Sequence, residues 1–224
     1  MAVLAGSLVA GIGPRAGRVE AWPVHPVHAS APDGPPAGPP NGLPGRYAVD
    51  MGLHCYLGHG ASGSAASMAP FVDGLRARGV EATAIKLPRR RAEDALPAFH
   101  LTVPDAPDSV IGGHSYGGRV ASLAAAEPGA RYAALVLFSY PLHPPGAPER
   151  TEARMAHWPA IHCPVLLLSG ESDPFARLDL LRAAVPRLGG PAQLVTYPRL
   201  GHTLKPVLDD VLDRTAAFLA EIAR

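Results

Sequence analysis

Cysteine is scarce in this sequence, charge is scarce, and no apolar run near the start is long enough to matter to a bilayer. The two cysteines among 224 residues, Cys55 and Cys163, both fall in segments that read as buried strands. No disulfide framework is therefore expected, and the thiols are read as reduced core residues of a cytoplasmic protein. Asp, Glu, Lys and Arg make up 17% of the chain and the formal net charge is +1, where an average domain carries about a quarter charged residues. That balance offers no strongly basic face, so nucleic acid is not an expected partner. The apolar stretch 1–12 falls well short of the roughly 20 residues that span a bilayer. No Lys or Arg precedes it, as a secretory signal would require. No membrane association is expected, and the small residues of 28–31 leave an export signal as the alternative. No internal repeat is visible, and the sequence says nothing of oligomeric state.

What is abundant at the start is proline and glycine. Between Ala31 and Gly45 they occupy ten of fifteen positions, a composition that cannot bury enough apolar surface to offset the entropy of ordering. Residues 1–50 are expected to form a disordered Pro/Gly-rich extension, and residues 51–224 one compact domain. From Leu53 onward short apolar runs alternate with longer helical patterns, the rhythm of a mostly parallel sheet flanked by helices. About six strands are expected, at 53–57, 80–87, 109–111, 135–138, 165–168 and 194–197. Helices are expected at 64–78, 93–99, 115–127, 176–185 and from 205 to the C-terminus. In such a fold loops converge at the C-terminal edge of the sheet, where ligands bind.

The chemistry-bearing residues all fall at that edge. Gly113-His114-Ser115-Tyr116-Gly117 fits Gly-x-Ser-x-Gly, with a strand before it and a helix after it, so a sharp turn can present the Ser115 hydroxyl. His114 is expected to turn away from that hydroxyl. A serine needs a base to remove its proton and a third group to orient that base. Asp173, just past the fifth strand, and His202, just past the sixth, supply both in the order serine, acid, histidine. Glu171 is the rival acid. Charge developing on a substrate oxygen calls for backbone N–H donors. Tyr116 is one candidate and Ala61 the other, in a loop where Gly60 allows an unusual backbone angle. His59, Tyr140, Leu142 and His143 are expected to wall the substrate pocket. His54, Cys55 and His59 do not make a convincing zinc set, and neither metal nor cofactor is expected. The run Pro88–Arg91 admits two readings, attraction of anionic substrates or a solvated loop.

These motifs also carry a resemblance. From about Leu53 to the C-terminus the chain resembles the α/β-hydrolase-like family that includes bacterial dienelactone-hydrolase-like proteins, testis-expressed protein 30 and subunit 3 of the nonspecific lethal complex. The matching phrases are GGHSYGGRVAS (112–122), FSYPLHPPG (138–146), SGESDPFA (169–176) and GHTLKP (201–206). The resemblance implies a compact α/β-hydrolase fold with Ser115, Asp173 and His202 as its reacting residues. Dienelactone hydrolases proper use a cysteine where this chain has Ser115, and some relatives serve as scaffolds. The interval 139–164 is too short for a large lid, and its prolines Pro141, Pro144, Pro145 and Pro148 suggest a stiff loop over the site. The expected activity is that of a carboxylesterase-like serine hydrolase on small or accessible acyl substrates. The alternatives are a non-catalytic binding or scaffold module, or a peptidase or thioesterase with the same three residues.

Overall fold

The structure is a computed structural model describing residues 17–22 and 52–224. Seven strands form one sheet in the order β1-β7-β6-β5-β4-β2-β3: β1 (Arg18–Trp22), β2 (His54–Gly58), β3 (Glu81–Ile85), β4 (Ser109–His114), β5 (Ala134–Phe138), β6 (Val165–Gly170) and β7 (Ala192–Tyr197). All pairings are parallel except that of β1 with β7. Among the described residues six helices accompany them, the last following β7: α1 (Ala69–Arg76), α2 (Ala92–His100), α3 (Tyr116–Ala125), α4 (Thr151–Met155), α5 (Leu178–Ala184) and α6 (Leu208–Ile222).

Side chains on successive strand residues point to opposite faces, and the core divides accordingly. Ile111, Leu135, Leu137, Leu167 and Leu194 pack with residues of α2, α3 and α5. Val110, Ala134, Val136, Phe138, Leu166 and Leu168 pack with those of α1 and α6. The helices themselves follow local rules. In α1, Phe71, Val72 and Leu75 are buried at helical spacing. Gly79, with φ 78°, terminates that segment in the left-handed conformation open to glycine. The connection after β2 runs to one face through α1, and the one after β4 runs to the other through α3. Between β2 and β4 the strand order therefore reverses direction, and a crevice opens at their C-terminal ends.

Three expectations need correction. The 1–50 extension, expected to be disordered throughout, contributes a seventh strand. Residues 18–22 pair with β7 from Arg18 opposite Thr196 to Trp22 opposite Ala192, and Glu20 meets Arg182 at 2.6 Å. The tie is backbone pairing to a strand some 170 residues away, which local composition does not report. The Pro/Gly-rich stretch itself, 31–45, lies outside the described residues. Cys163 is not in a strand but in the bend just before β6, half-buried, while Cys55 is buried in β2. Burial raises both thiols above their ordinary range, Cys55 to about 12 and Cys163 to about 11. The 139–164 interval holds α4 and two 3-10 turns and no large lid. It does not lie over the site. At Ser139 the backbone takes φ 49°, and the chain turns inward, so that Tyr140, Leu142, Met155 and Trp158 join the core on the α2/α3/α5 face.

Candidate active site

The site is built at the crevice by a turn that glycine makes possible. Gly113 has φ 149°, and a Cβ there would stand 2.2 Å from the Gly58 oxygen. A Cβ on Gly117 would stand equally close to the same atom. With no side chains at these points, α3 seats its first turn directly against the end of β2. Ser115, between them, is held at φ 52° and ψ −112°, a conformation costing of order 1–3 kcal/mol that persists only where its surroundings enforce it. Its N–H donates to the Phe138 carbonyl at 2.9 Å, and Arg119 N–H donates to its carbonyl at 3.0 Å, so the backbone is fixed on both sides.

Two loops then bring their side chains to the hydroxyl. Ser115 Oγ lies 2.9 Å from His202 Nε2. On the other side of the ring, His202 Nδ1 lies 2.8 Å from Asp173 Oδ2 and 3.0 Å from Oδ1. An ionised carboxylate only accepts, so Nδ1 carries the proton and Nε2 is left as the acceptor facing Ser115. The Asp173 side chain is fully buried, and Phe175 N–H donates to its Oδ1 at 2.8 Å. The two loops are also tied by backbone, Ser172 N–H donating to the Leu200 carbonyl at 2.8 Å. Glu171, the rival acid, is turned toward β7 and β1. It accepts from Thr196 Oγ1 at 3.0 Å and faces Arg18 at 4.0 Å.

The hydroxyl opens into a cavity of about 430 Å³, lined by Gly60, Ala61, Met68, Phe71, Phe175 and Leu204 among others. Ala61 lines the cavity beside the hydroxyl, though the reason given for Gly60 was wrong. Its φ is not among the positive ones, and its smallness matters because a Cβ would meet His114 Nδ1 at 3.0 Å. Tyr116 is the first residue of α3, and the N–H groups of a helix's first turn have no carbonyl within the helix to bond.

None of the four expected wall residues lines the cavity, and each is occupied elsewhere. His59 is buried and ties the loop after β2 to the end of β3, donating from Nδ1 to the Gly60 carbonyl at 2.8 Å and accepting Leu87 N–H at Nε2, 3.2 Å away. Tyr140 donates to the Arg154 carbonyl at 2.9 Å and packs edge-on to Trp158. Leu142 is core. His143 clamps the acid loop: its N–H donates to the Phe175 carbonyl at 2.9 Å, and its Nε2 accepts Arg177 N–H at 3.1 Å. His114 reverses another expectation, since it turns toward the site. Its Nε2 lies 3.1 Å from the His202 carbonyl, and burial holds its pKa below the ordinary imidazole value. The true walls, Met68 and Phe71, show in the sequence as core positions of an amphipathic helix, and nothing in that pattern marks them as facing a cavity. Among the described residues no group of three or more His, Cys, Asp or Glu side chains could hold a metal ion. His54 is bonded to Thr83 Oγ1 at 2.8 Å instead. No described helix is long and apolar enough to cross a membrane.

The fold recurs widely among solved structures. A monoacylglycerol lipase from Paleococcus ferrophilus matches with a TM-score of 0.63 at 14% identity, covering 75% of this chain and 94% of that one. Est1E from Butyrivibrio proteoclasticus, solved with ferulic acid bound, gives 0.62 at 18% identity over 75% and 88%. A dienelactone hydrolase from Anabaena variabilis gives 0.55 at 21% identity over 75% and 84%. At such identities the likeness is one of fold. No curated protein matches the chain in sequence. Residues 57–222 match the family model described as an alpha/beta hydrolase domain, and the chain belongs to that alpha/beta hydrolase family.

Proposed function

We propose that this protein is a serine hydrolase acting on carboxylic esters of small or accessible acyl groups. The observation that carries the reading is the unbroken series from the Ser115 hydroxyl through His202 to Asp173, at 2.9 Å and 2.8 Å, made by residues from three separate strand ends. In this reading His202 Nε2 takes the Ser115 proton as Oγ attacks the carbonyl carbon. Asp173 holds the ring in the required tautomer and stabilises the imidazolium. The N–H groups of Tyr116 and Ala61 receive the charge developing on the substrate oxygen. His202 then returns the proton to the leaving alcohol, and water, activated by the same imidazole, releases the acid and restores Ser115. No cofactor enters the scheme.

The substrate class follows from the cavity, whose walls at Met68, Phe71, Phe175 and Leu204 are apolar and whose mouth carries no large lid. Compact acyl or aryl-acyl groups suit it. The monoacylglycerol lipase among the structural neighbours supports an ester rather than an amide. Within the alpha/beta hydrolases we place the chain near the testis-expressed protein 30 branch, on the phrase Ser139–Gly146, whose His143 clamps the acid loop. We also place it in the cytoplasm, as a protein whose partner is its small-molecule substrate.

The test is covalent labelling. A fluorophosphonate should modify wild-type protein at Ser115 and leave a folded Ser115→Ala variant unmodified, with loss of short-chain ester hydrolysis in step. Well-folded wild type that takes no label and turns over no ester would favour a binding module that merely keeps the fold.

A further inference from the structure

A second cleft, of about 590 Å³, lies on the α2/α3 side of the Ser115 turn and is lined by Arg90, Arg91, Arg119, Arg150 and Arg154 with Tyr116. Against five guanidiniums it holds one carboxylate, Glu93, which is engaged by Arg119 at 2.6 Å and faces Arg91 at 3.7 Å. Arg90, Arg150 and Arg154 have no ion-pair partner among the described residues. Elsewhere the chain treats its arginines differently: Arg78 meets Asp213, Arg182 meets Glu20, Arg187 meets Glu152 and Arg214 meets Asp210, all within 2.7 Å. Other unpaired cations such as Arg76 and Arg199 do not line this cleft.

The walls of the cleft are held in place by hydrogen bonds to backbone. Tyr116 Oη donates to the Pro88 carbonyl at 2.8 Å, fixing the loop that carries Arg90 to the elbow helix. Arg119 and Tyr140 both donate to the Arg154 carbonyl, at 3.1 Å and 2.9 Å, fixing the opposite wall. Half-buried Arg154 pays for its place with a guanidinium pKa below the ordinary value, through desolvation and then the neighbouring charge of Arg119. A near-neutral protein has thus gathered uncompensated positive charge in one preformed concavity.

We propose that this cleft binds a phosphate group borne by a small molecule, through the guanidiniums of Arg90, Arg150 and Arg154. A phosphate brings close to two negative charges and three or more acceptor oxygens, whereas a carboxylate brings one charge and two oxygens. Guanidinium forks match phosphate geometry and are less strongly hydrated than ammonium groups, so binding strips less water from them. The site begins at Tyr116, the neighbour of Ser115 in sequence, yet shares none of the cavity-lining residues around His202. It therefore stands whether or not Ser115 is a nucleophile.

Calorimetric titration of the full chain with inorganic pyrophosphate and with glycerol 1-phosphate, both at a fixed ionic strength of about 0.15 M, reads the site directly. Saturable binding of either probe is expected, weakened about tenfold or more by Arg90→Ala and by Arg150→Ala. Both side chains are exposed, so both variants should fold, which thermal denaturation checks. Arg76→Ala, on α1, and Ser115→Ala should bind as wild type does. Tighter binding of pyrophosphate would identify a free polyphosphate as the occupant, and tighter binding of glycerol phosphate an organic phosphate ester. No saturation of wild type up to about 10 mM of either probe, or a loss in Arg76→Ala equal to that in Arg150→Ala, would overturn the proposal.

Discussion

At the C-terminal edge of the sheet the two faces use similar side chains to opposite ends. On the α1/α6 face, the loops after β2 and β7 stand apart and leave an apolar cavity into which Ser115 and His202 project. The polar groups there are spent on one another, hydroxyl to imidazole to carboxylate. On the α2/α3 face, the connection from β5 to β6 folds inward, and its polar heads are spent on backbone. Tyr140 and Arg119 hold the Arg154 carbonyl, and His143 holds the Arg177 N–H. One face thus keeps a hydroxyl accessible beside a poised base, while the other fixes the loops that keep it so.

The contrast predicts a gradient of effects. Asp173→Asn should fall hardest on turnover. The amide can still accept from Phe175 N–H, but it removes the charge that stabilises a protonated His202. Ester hydrolysis is expected to fall by roughly 10⁴-fold in kcat, with a urea midpoint close to wild type. A loss of only a few-fold would mean that Asp173 is a turn cap and no part of a proton relay. His143→Ala, on the other face, should divide its effect. It strands the Arg177 N–H and loosens the acid loop, costing about 2–3 kcal/mol of stability. It should also lower kcat about tenfold, with a smaller rise in KM, because of the apolar walls only Phe175 lies on the acid loop, while Met68, Phe71 and Leu204 do not. Unaltered stability would show that the clamp is not made in solution.

Why one face was readable in the sequence and the other was not has a physical basis. The elbow must have small residues around its serine, because a Cβ at Gly113 or Gly117 would strike the end of β2. That steric demand is local and leaves a five-residue signature. Asp173 and His202 were legible because each follows an apolar run, and the end of a parallel strand dictates where the next residue emerges. The direction of a side chain in an irregular loop has no such period. Tyr140, Leu142 and His143 do start at the active edge, as expected, but beyond the positive φ of Ser139 the first two enter the core and His143 is held against the acid loop. His114, the last residue of β4, points to the site, and its ring reaches the His202 carbonyl at 3.1 Å. Pairing of β1 with β7 depends on a contact between residues far apart in the chain, which a window of neighbouring residues cannot contain.

The smallest effect lies on the second face at half-buried His157, and it should touch stability without touching chemistry. Ser122 Oγ donates to the Arg119 carbonyl at 2.8 Å and lies 2.9 Å from His157 Nε2, so Nε2 is the ring nitrogen that donates to Ser122. Burial first, and the positive charge of Arg119 second, lower its pKa from 6.5 to about 4, against a weaker opposite pull from Glu93. The unfolded chain takes up a proton near pH 6.5 and the folded one only near pH 4. Between these values the unfolded state binds more protons, and stability falls as pH falls. The full shift would correspond to about 3 kcal/mol; since the ring is partly open to solvent, screening reduces this to about 1–2 kcal/mol. Glutamine can keep the donor to Ser122 and does not titrate. His157→Gln should therefore show a shallower loss of stability between pH 6.5 and 4 in urea denaturation, with unchanged ester hydrolysis at pH 7.5. Equal slopes for the two proteins would mean that His157 is protonated in the folded state, and that the second face is less tightly closed around α4 than its hydrogen bonds imply.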